Sequence, residues 1–423
     1  MQSASPLPLH SSLYTITKEN AKIIVLLILV ASFCSLLFIS SLPAQYSSTA
    51  GSTATNRPDP YLFPSLQSET NRIPTDPPPP SFAYLISGSD GDAERILRLL
   101  YATYHPKNRY LLQLDAAGSE SDRNKLALVV QSNPVFRAAK NVDVIGKPDF
   151  DNLAGSSAIS ATLRGASILM RLYEKWDWFI NLRAGDYPLV TQDDLLHIFS
   201  YLPKDLNFVS HASYIGWKES RKVKPIIVDP GLYLSQKTNV FYATQTRPLP
   251  SSFKLYTGPP FTILSRQFIE HCILGMDNLP RTLLMYFANT PFSLSNYFPT
   301  VMCNSREFNK RVINCNLQYG EYDKPRGFNA SQFDSMMQSG AAFATGFQAD
   351  DPTVDRIDRE ILRRIPGRVV PGGWCLGNAG NSSCLVWGNA EILRPGAGAA
   401  RIEKPIVELL VDGKFRSRQC IED

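Results

Sequence analysis

Four side chains able to carry charge or hydrogen-bond stand where apolar runs break off: Ser87 after "FAYLI", Asp90 three residues on, Asp115 after "RYLLQL", and Asp186 after "WDWFINLRAG". A carboxylate in such a place can meet a ligand, or it can cap the helix that follows. For Asp186 both readings stand, because the polar run "TQDDLL" from Thr191 looks like a helix start. Two acid pairs, Asp90-Gly-Asp92 and Asp149-Phe-Asp151, have the form that can hold a divalent cation against a diphosphate. The first reads better as a turn and helix N-cap before Ala93, and no strand leads into the second, so neither is expected to bind metal. The densest cationic run, "WKESRKVKP", supplies Lys218, Arg221, Lys222 and Lys224. It is either a phosphate contact or a solvated loop. No Gly-X-Ser-X-Gly elbow and no GxxxxGK[ST] loop occurs, which argues against α/β-hydrolase and P-loop chemistry. His105, His197, His211 and His271 are scattered and are expected to be structural.

Elements must hold these residues. "FAYLIS", "RYLLQLD", "NVDVI" and "WDWFINL" read as buried strands, and Asp92 to Tyr104, "SDRNKLALVVQS" and Ser156 to Glu174 carry helical periodicity between them. The alternation predicts an α/β fold, a mainly parallel sheet with helices on both faces, whose ligands gather at the carboxyl ends of the strands. After Leu202 the alternation weakens into short strands, turns and one helix pattern, "QFIEHCILGMDNLP". One domain over residues 82–423 is expected.

The composition, 423 residues with 44% hydrophobic, 19% charged and a net charge of +5, is that of a globular chain and gives no reason to expect a nucleic-acid partner. Ile23 to Leu42 is an uncharged apolar run of about 20 residues, long enough to cross a bilayer and longer than the core of a cleaved signal peptide. Lys18 and Lys22 before it place the N terminus in the cytoplasm. The expected layout is a tail (1–22), a transmembrane anchor (23–42), a Ser/Thr/Pro-rich stem (43–81) and a lumenal body (82–423), as in a single-pass type II Golgi membrane protein. Six cysteines follow the anchor, an even set that suits disulfides, with Cys375 and Cys384 the favoured pair. No CxxC spacing points to zinc, and Asn329 and Asn381 open glycosylation sequons.

A lumenal α/β enzyme with a crevice at its strand ends suggests a nucleotide-sugar transferase, with hydrolases, sulfotransferases and binding modules as competitors. Without a metal, such a transferase needs cationic side chains for the departing diphosphate. At "WDWFINLRAGDYPLVTQDDLLHIF", "LNFVSHASYIGWKE", "VDPGLY", "DNLPRTLLMYF" and "VVPGGWC" the chain resembles the plant branch of glycosyltransferase family 14, related to core-2/I-branching N-acetylglucosaminyltransferases and protein xylosyltransferases. The resemblance covers about Ser81 to Cys420. It implies a GT-A fold, Golgi residence, inversion at the anomeric carbon, no metal or other cofactor, and transfer of glucuronic acid from UDP-glucuronic acid to galactan side chains of arabinogalactan proteins. Carried over by position, it implies that Asp115 contacts uracil and that Asp186 lies in the donor crevice; Ser87, at its strand end, is a further candidate for donor binding.

The departures are local. The resemblance implies a base glutamate in a pattern like "EGYFHT", where this chain has "SNYFPT" and Ser295. A diphosphate-binding lysine is implied in a pattern like "FARKF", where "FATGF" places Gly346. "NLRAGDYP" stands for the usual "NLSASDYP", and "TGPPF" for "TGSAW", bringing Arg183, Pro259 and Pro260 toward the expected pocket. Two readings follow. In one, an active transferase has moved its base to Glu321 or Asp323 and its phosphate contact to Arg183 or to the Lys218–Lys224 run. In the other, a degenerate paralogue binds sugar, or partners other Golgi transferases, without transferring.

Overall fold

The computed structural model describes residues 77–212, 222–233, 239–320, 328, 330–377, 384–411 and 419–420. At its centre Phe82–Gly88 forms β1, whose seven side chains are all buried. That suits the continuous apolar run of a strand covered on both faces. The chain continues through α1 (Ala93–Thr103), β2 (Arg109–Leu114), α2 (Glu120–Ser132), α3 (Pro134–Ala139), β3 (Val142–Val144), α4 (Ser157–Leu172) and β4 (Trp178–Arg183). Next come β5 (Asp186–Pro188), α5 (Gln192–Ser200), β6 (Asn207–Phe208), β7 (Pro225–Val228), a 3-10 turn (Pro230–Tyr233), β8 (Phe241–Thr246) and β9 (Ile263–Ser265). The remainder is α6 (Arg266–Leu274), α7 (Leu279–Phe287), α8 (Ser293–Asn304), β10 (Val312–Ile313), β11 (Gln318–Tyr319), α9 (Ala330–Gln338), β12 (Phe343–Thr345), α10 (Pro352–Glu360) and α11 (Ala397–Leu410).

The main sheet has seven strands in the order β10-β6-β9-β4-β1-β2-β3. It is parallel except for β9, which runs against β4 and β6. Side chains alternate between its faces. Tyr84, Ile86, Leu112 and Ile180 join the core under α1, α5 and α11, while Ala83, Leu85, Leu111 and Phe179 join the core under α4, α6, α7 and α8. The α/β reading, with helices on both faces, therefore holds. Two smaller sheets, β11-β12-β5 and β7-β8, stand apart from it.

Several boundaries differ from the sequence reading. The single pattern "QFIEHCILGMDNLP" is two helices, α6 and α7, broken at Gly275, where an added Cβ would press on the backbone of His271. Helix α3 was not expected; Asn133 caps it and Pro134 opens it, the usual signals of a helix start. Asp186 does not cap α5. Thr191 does so, in a capping box with Asp194. Asp92 makes no side-chain cap to α1; its carboxylate turns back to the Ser89 N–H at 3.0 Å and to Arg95.

Cys375 and Cys384 are joined, as expected, and a second disulfide links Cys303 on α8 to Cys420. Among the described residues no helix is long and apolar enough to cross a membrane. The tail, the 23–42 anchor, the stem up to residue 76, and Lys218, Arg221, Glu321, Asp323, Asn329 and Asn381 lie outside the described residues.

Candidate active site

The register of the sheet brings the strand ends level. Ser87 on β1 is the partner of Arg183 on β4, and the antiparallel pairing of β12 with β5 sets Thr345 against Asp186. Here a cleft of about 510 Å³ opens, lined among others by Ser87, Arg95, Arg183, Asp186, Gly346 and Phe347. A second pocket of about 230 Å³ adjoins it, sharing Ser89 and Leu153, and is lined by Asp115, Asp151, Asp229 and Gly231. The five donor-site residues expected from sequence thus fall in two neighbouring pockets, Asp115 in the smaller and the other four in the larger.

Their carboxylates are already engaged. Asp186 Oδ2 accepts from the Arg183 N–H at 2.8 Å and Oδ1 from Gln318 Nε2 at 3.2 Å. Burial pushes this acid up to about 6, opposed by the hydroxyl of Thr345, the Arg183 N–H and the charges of Arg183 and Arg95. So placed, Asp186 shapes the turn between β4 and β5 and faces inward. Asp115 accepts from Ser89 Oγ at 3.1 Å and from the Ala117 N–H at 3.1 Å. Burial raises its pKa, with the nearby charge of Asp151 acting in the same direction. Asp229 reaches across the fold to cap α4, accepting from the Ser156 and Ser157 N–H groups at 2.8 and 2.7 Å.

Two guanidinium groups belong to the larger cleft. Arg183 Nη1 bonds Asp151 Oδ1 at 3.1 Å, an ion pair that runs between a residue of each pocket. Arg95, which sequence reasoning missed, donates to Asp92 and to the Phe347 carbonyl, each at 2.7 Å. Its position three residues after Asp92 on an amphipathic helix was the available signal. Gly346, at the expected lysine position, has φ +100, a conformation that side-chain-bearing residues rarely adopt.

Other expected residues stay outside. Ser295 lies in the first turn of α8, is half-buried and lines neither pocket. Lys222 and Lys224, just before β7, line neither. In the acid strings Asp92 pairs with Arg95, Asp149 with Arg164 and Asp151 with Arg183. His105 is buried, and desolvation pushes its pKa down to about 3, a structural role as expected.

A largely parallel sheet with a polar, arginine-bearing crevice at its carboxyl edge is the build of an α/β enzyme for a ligand rich in oxygen. The family model described as "Branch: Core-2/I-Branching enzyme" matches residues 82–340, and the chain belongs to this family, making it a glycosyltransferase. It is 46% identical over 365 residues to beta-glucuronosyltransferase GlcAT14A of Arabidopsis thaliana, covering 85% of this chain and 82% of that one. It is 49% identical over 345 residues to GlcAT14B of the same plant, covering 80% of each. Similarity extends to xylosyltransferase 1 of Rattus norvegicus, 26% identical over 326 residues, covering 71% of this chain and 38% of that one.

Proposed function

We propose that the chain is a Golgi, single-pass type II glucuronosyltransferase that moves glucuronic acid from UDP-glucuronic acid to galactan side chains of arabinogalactan proteins, with inversion and without a metal. The observation that carries this is the meeting of Arg183 and Gly346 in one cleft. Where the family pattern has a lysine this chain has none, and where the pattern has a serine it has a guanidinium facing the same space. Donor identity rests on the beta-glucuronosyltransferase relatives. The apolar run at 23–42 and the two disulfides support the lumenal placement.

In this reading the nucleoside occupies the smaller pocket beside Asp115, and the diphosphate lies in the larger one against Arg183 and Arg95. The two guanidinium groups offset the charge that grows as UDP departs. The acceptor hydroxyl attacks the anomeric carbon from the opposite face, and its proton must pass to a base. Ser295 is too weak a proton acceptor for that task, so we assign it to Glu321 or Asp323. In support, β11 brings Gln318 into bonding distance of Asp186, and Gly320 packs on the Thr345 carbonyl, both at the cleft. Metal independence is supported by the arginine partners of Asp92, Asp149 and Asp151, which leave these acid strings committed.

UDP should raise the melting temperature of the full chain in EDTA, and radiolabel should pass from UDP-glucuronic acid to galacto-oligosaccharides. An unchanged melting curve at millimolar UDP would remove the donor site. The serine at position 295 favours one other reading, a degenerate paralogue that binds sugar, or partners other Golgi transferases, without transferring. UDP binding with no label transfer would favour it over the transferase.

A further inference from the structure

Beside the larger cleft, but lining neither pocket, Arg98, Tyr187 and Arg364 meet on the carboxylate of Asp358. Tyr187, Asp358 and Arg364 are buried. Asp358 Oδ1 accepts from Tyr187 Oη at 2.6 Å and from Arg364 Nε at 2.9 Å. Its Oδ2 accepts from Arg98 Nη2 at 2.7 Å and from Arg364 Nη2. Arg364 Nη2 also donates to Tyr187 Oη at 3.2 Å. A carboxylate can stay charged in such an interior because these donors replace the water it gave up.

The members of this group come from the elements that wall the cleft. Arg98 lies on α1 one turn after cleft-lining Arg95, on the same side of the helix. Tyr187 follows cleft-lining Asp186 in β5, and Asp358 lies on α10, shortly after the cleft-lining residues 345–349. The Tyr187 ring lies edge-on to that of Phe347 at 6.2 Å, and the Arg98 guanidinium stands 5.7 Å from its centre. Phe347 in turn takes Arg95 Nη2 on its carbonyl at 2.7 Å and gives its N–H to the Gly185 carbonyl at 3.2 Å. Arg98 also reaches Asp355 on α10, but that side chain is 65% exposed and adds little. Asp358 is therefore the acid that ties α1 to β5 and α10.

Resting on the transferase reading, we propose that Asp358 is a positioning residue for the donor. Through Arg98 and Tyr187 it holds α1, β5 and the loop after β12 together, so that Arg95 meets the diphosphate already oriented. An arginine side chain has many rotamers, and freedom that is lost in the empty enzyme is not lost again on binding. The charge matters as well as the shape: with a neutral amide in place of Asp358, two guanidinium groups would face each other without the anion between them.

The test measures UDP binding to the full-length chain by equilibrium dialysis in EDTA. Asp358→Asn strands two cations and endangers folding, so the working variants are Tyr187→Phe, which deletes one hydroxyl, and Arg98→Ala, at a partly exposed site. Each should raise the Kd for UDP at least fivefold in the wild-type background and less than twofold in an Arg95→Ala background, with denaturation midpoints confirming a folded chain. A smaller rise, or the same rise with and without Arg95, would overturn the positioning role. A merely structural role moves the midpoint and not this difference. Amide hydrogen exchange without nucleotide judges the tie separately. The Gly346 and Phe347 N–H groups both bond the Gly185 carbonyl at 3.2 Å, and they should exchange at least tenfold faster in either variant. A smaller change would overturn the tie. Wild type that binds no UDP would instead sink the transferase reading, and the exchange rates would still decide whether Asp358 holds the cleft.

Discussion

Arg183→Ser introduces the serine that the sequence resemblance implies at this position and removes the guanidinium that lines the cleft. The side chain pairs with Asp151, which is only 5% exposed, while Arg183 itself is 19% exposed. Two unit charges about 4 Å apart at an effective dielectric near 20 attract by about 4 kcal/mol. Leaving a buried carboxylate without its partner typically costs 3–5 kcal/mol, and the partial exposure of Arg183 puts the loss near the low end, about 3 kcal/mol. The same side chain, as a charge-assisted donor to a diphosphate, should contribute about 1.5–3 kcal/mol to UDP binding, roughly a 10- to 150-fold change in Kd. Unfolding in denaturant measures the first effect, and a thermal-shift titration with UDP in EDTA measures the second. The double variant Arg183→Ser/Asp151→Asn separates them: removing the stranded charge should return most of the stability but none of the affinity. An Arg183→Ser chain that binds UDP as tightly as wild type would refute the assignment of the phosphate contact.

Gly346→Lys, which introduces the lysine that the resemblance implies, should cost about 1–3 kcal/mol of stability because of the backbone at φ +100, and Gly346→Ala should cost about the same; a denaturation midpoint equal to wild type would mean that the loop readjusts. Asp186 has a native pKa near 6 against 3.8 for the free side chain, so its stabilisation is full below about pH 4 and is lost as pH rises through 6. Stability against pH for Asp186→Asn should therefore lack a fall of order 2–3 kcal/mol across that window, measured by urea midpoints. Removing the Cys303–Cys420 bridge, which spans 117 residues, should cost about 5 kcal/mol by chain entropy, against about 3 kcal/mol for Cys375–Cys384, which spans 9. Equal losses would show that loop length does not decide the matter here.

The strands and helices of the first half were legible because their sequence periods match their burial. "FAYLIS" is apolar throughout because β1 is covered on both sides, and the four-strand parallel core follows from the helices between. The second half was harder for a physical reason: β6, β9, β10, β11 and β12 are two or three residues long, too short for any period to show. Their places are fixed by partners far off in sequence, as when β9 slots antiparallel between β4 and β6. The site divides in the same way. Asp115 and Asp186 lie one and three residues beyond β2 and β4, strands that could be read, so their location followed. What they bond to did not, because Ser89, Gln318 and Thr345 reach them only through the tertiary fold.

Arg183 shows why the residue alone is not the finding. In sequence it is one cation after a buried strand, and Gly346 stands 163 positions later. The fold joins them in one cleft through a strand pairing, β12 on β5, that no local pattern announces. The same pairing fixes the geometry of the two positions. A lysine at 346 would extend from a backbone that now needs a glycine, whereas the guanidinium at 183 leaves a strand end that the main sheet holds rigid. A cation on a rigid strand is better oriented toward a diphosphate than one on a loop, since less of its freedom remains to be lost on binding. Arg183 and Gly346 thus meet in space and not in sequence, and Arg183→Ser in a Gly346→Lys background is where their linkage can be read as a single coupling energy.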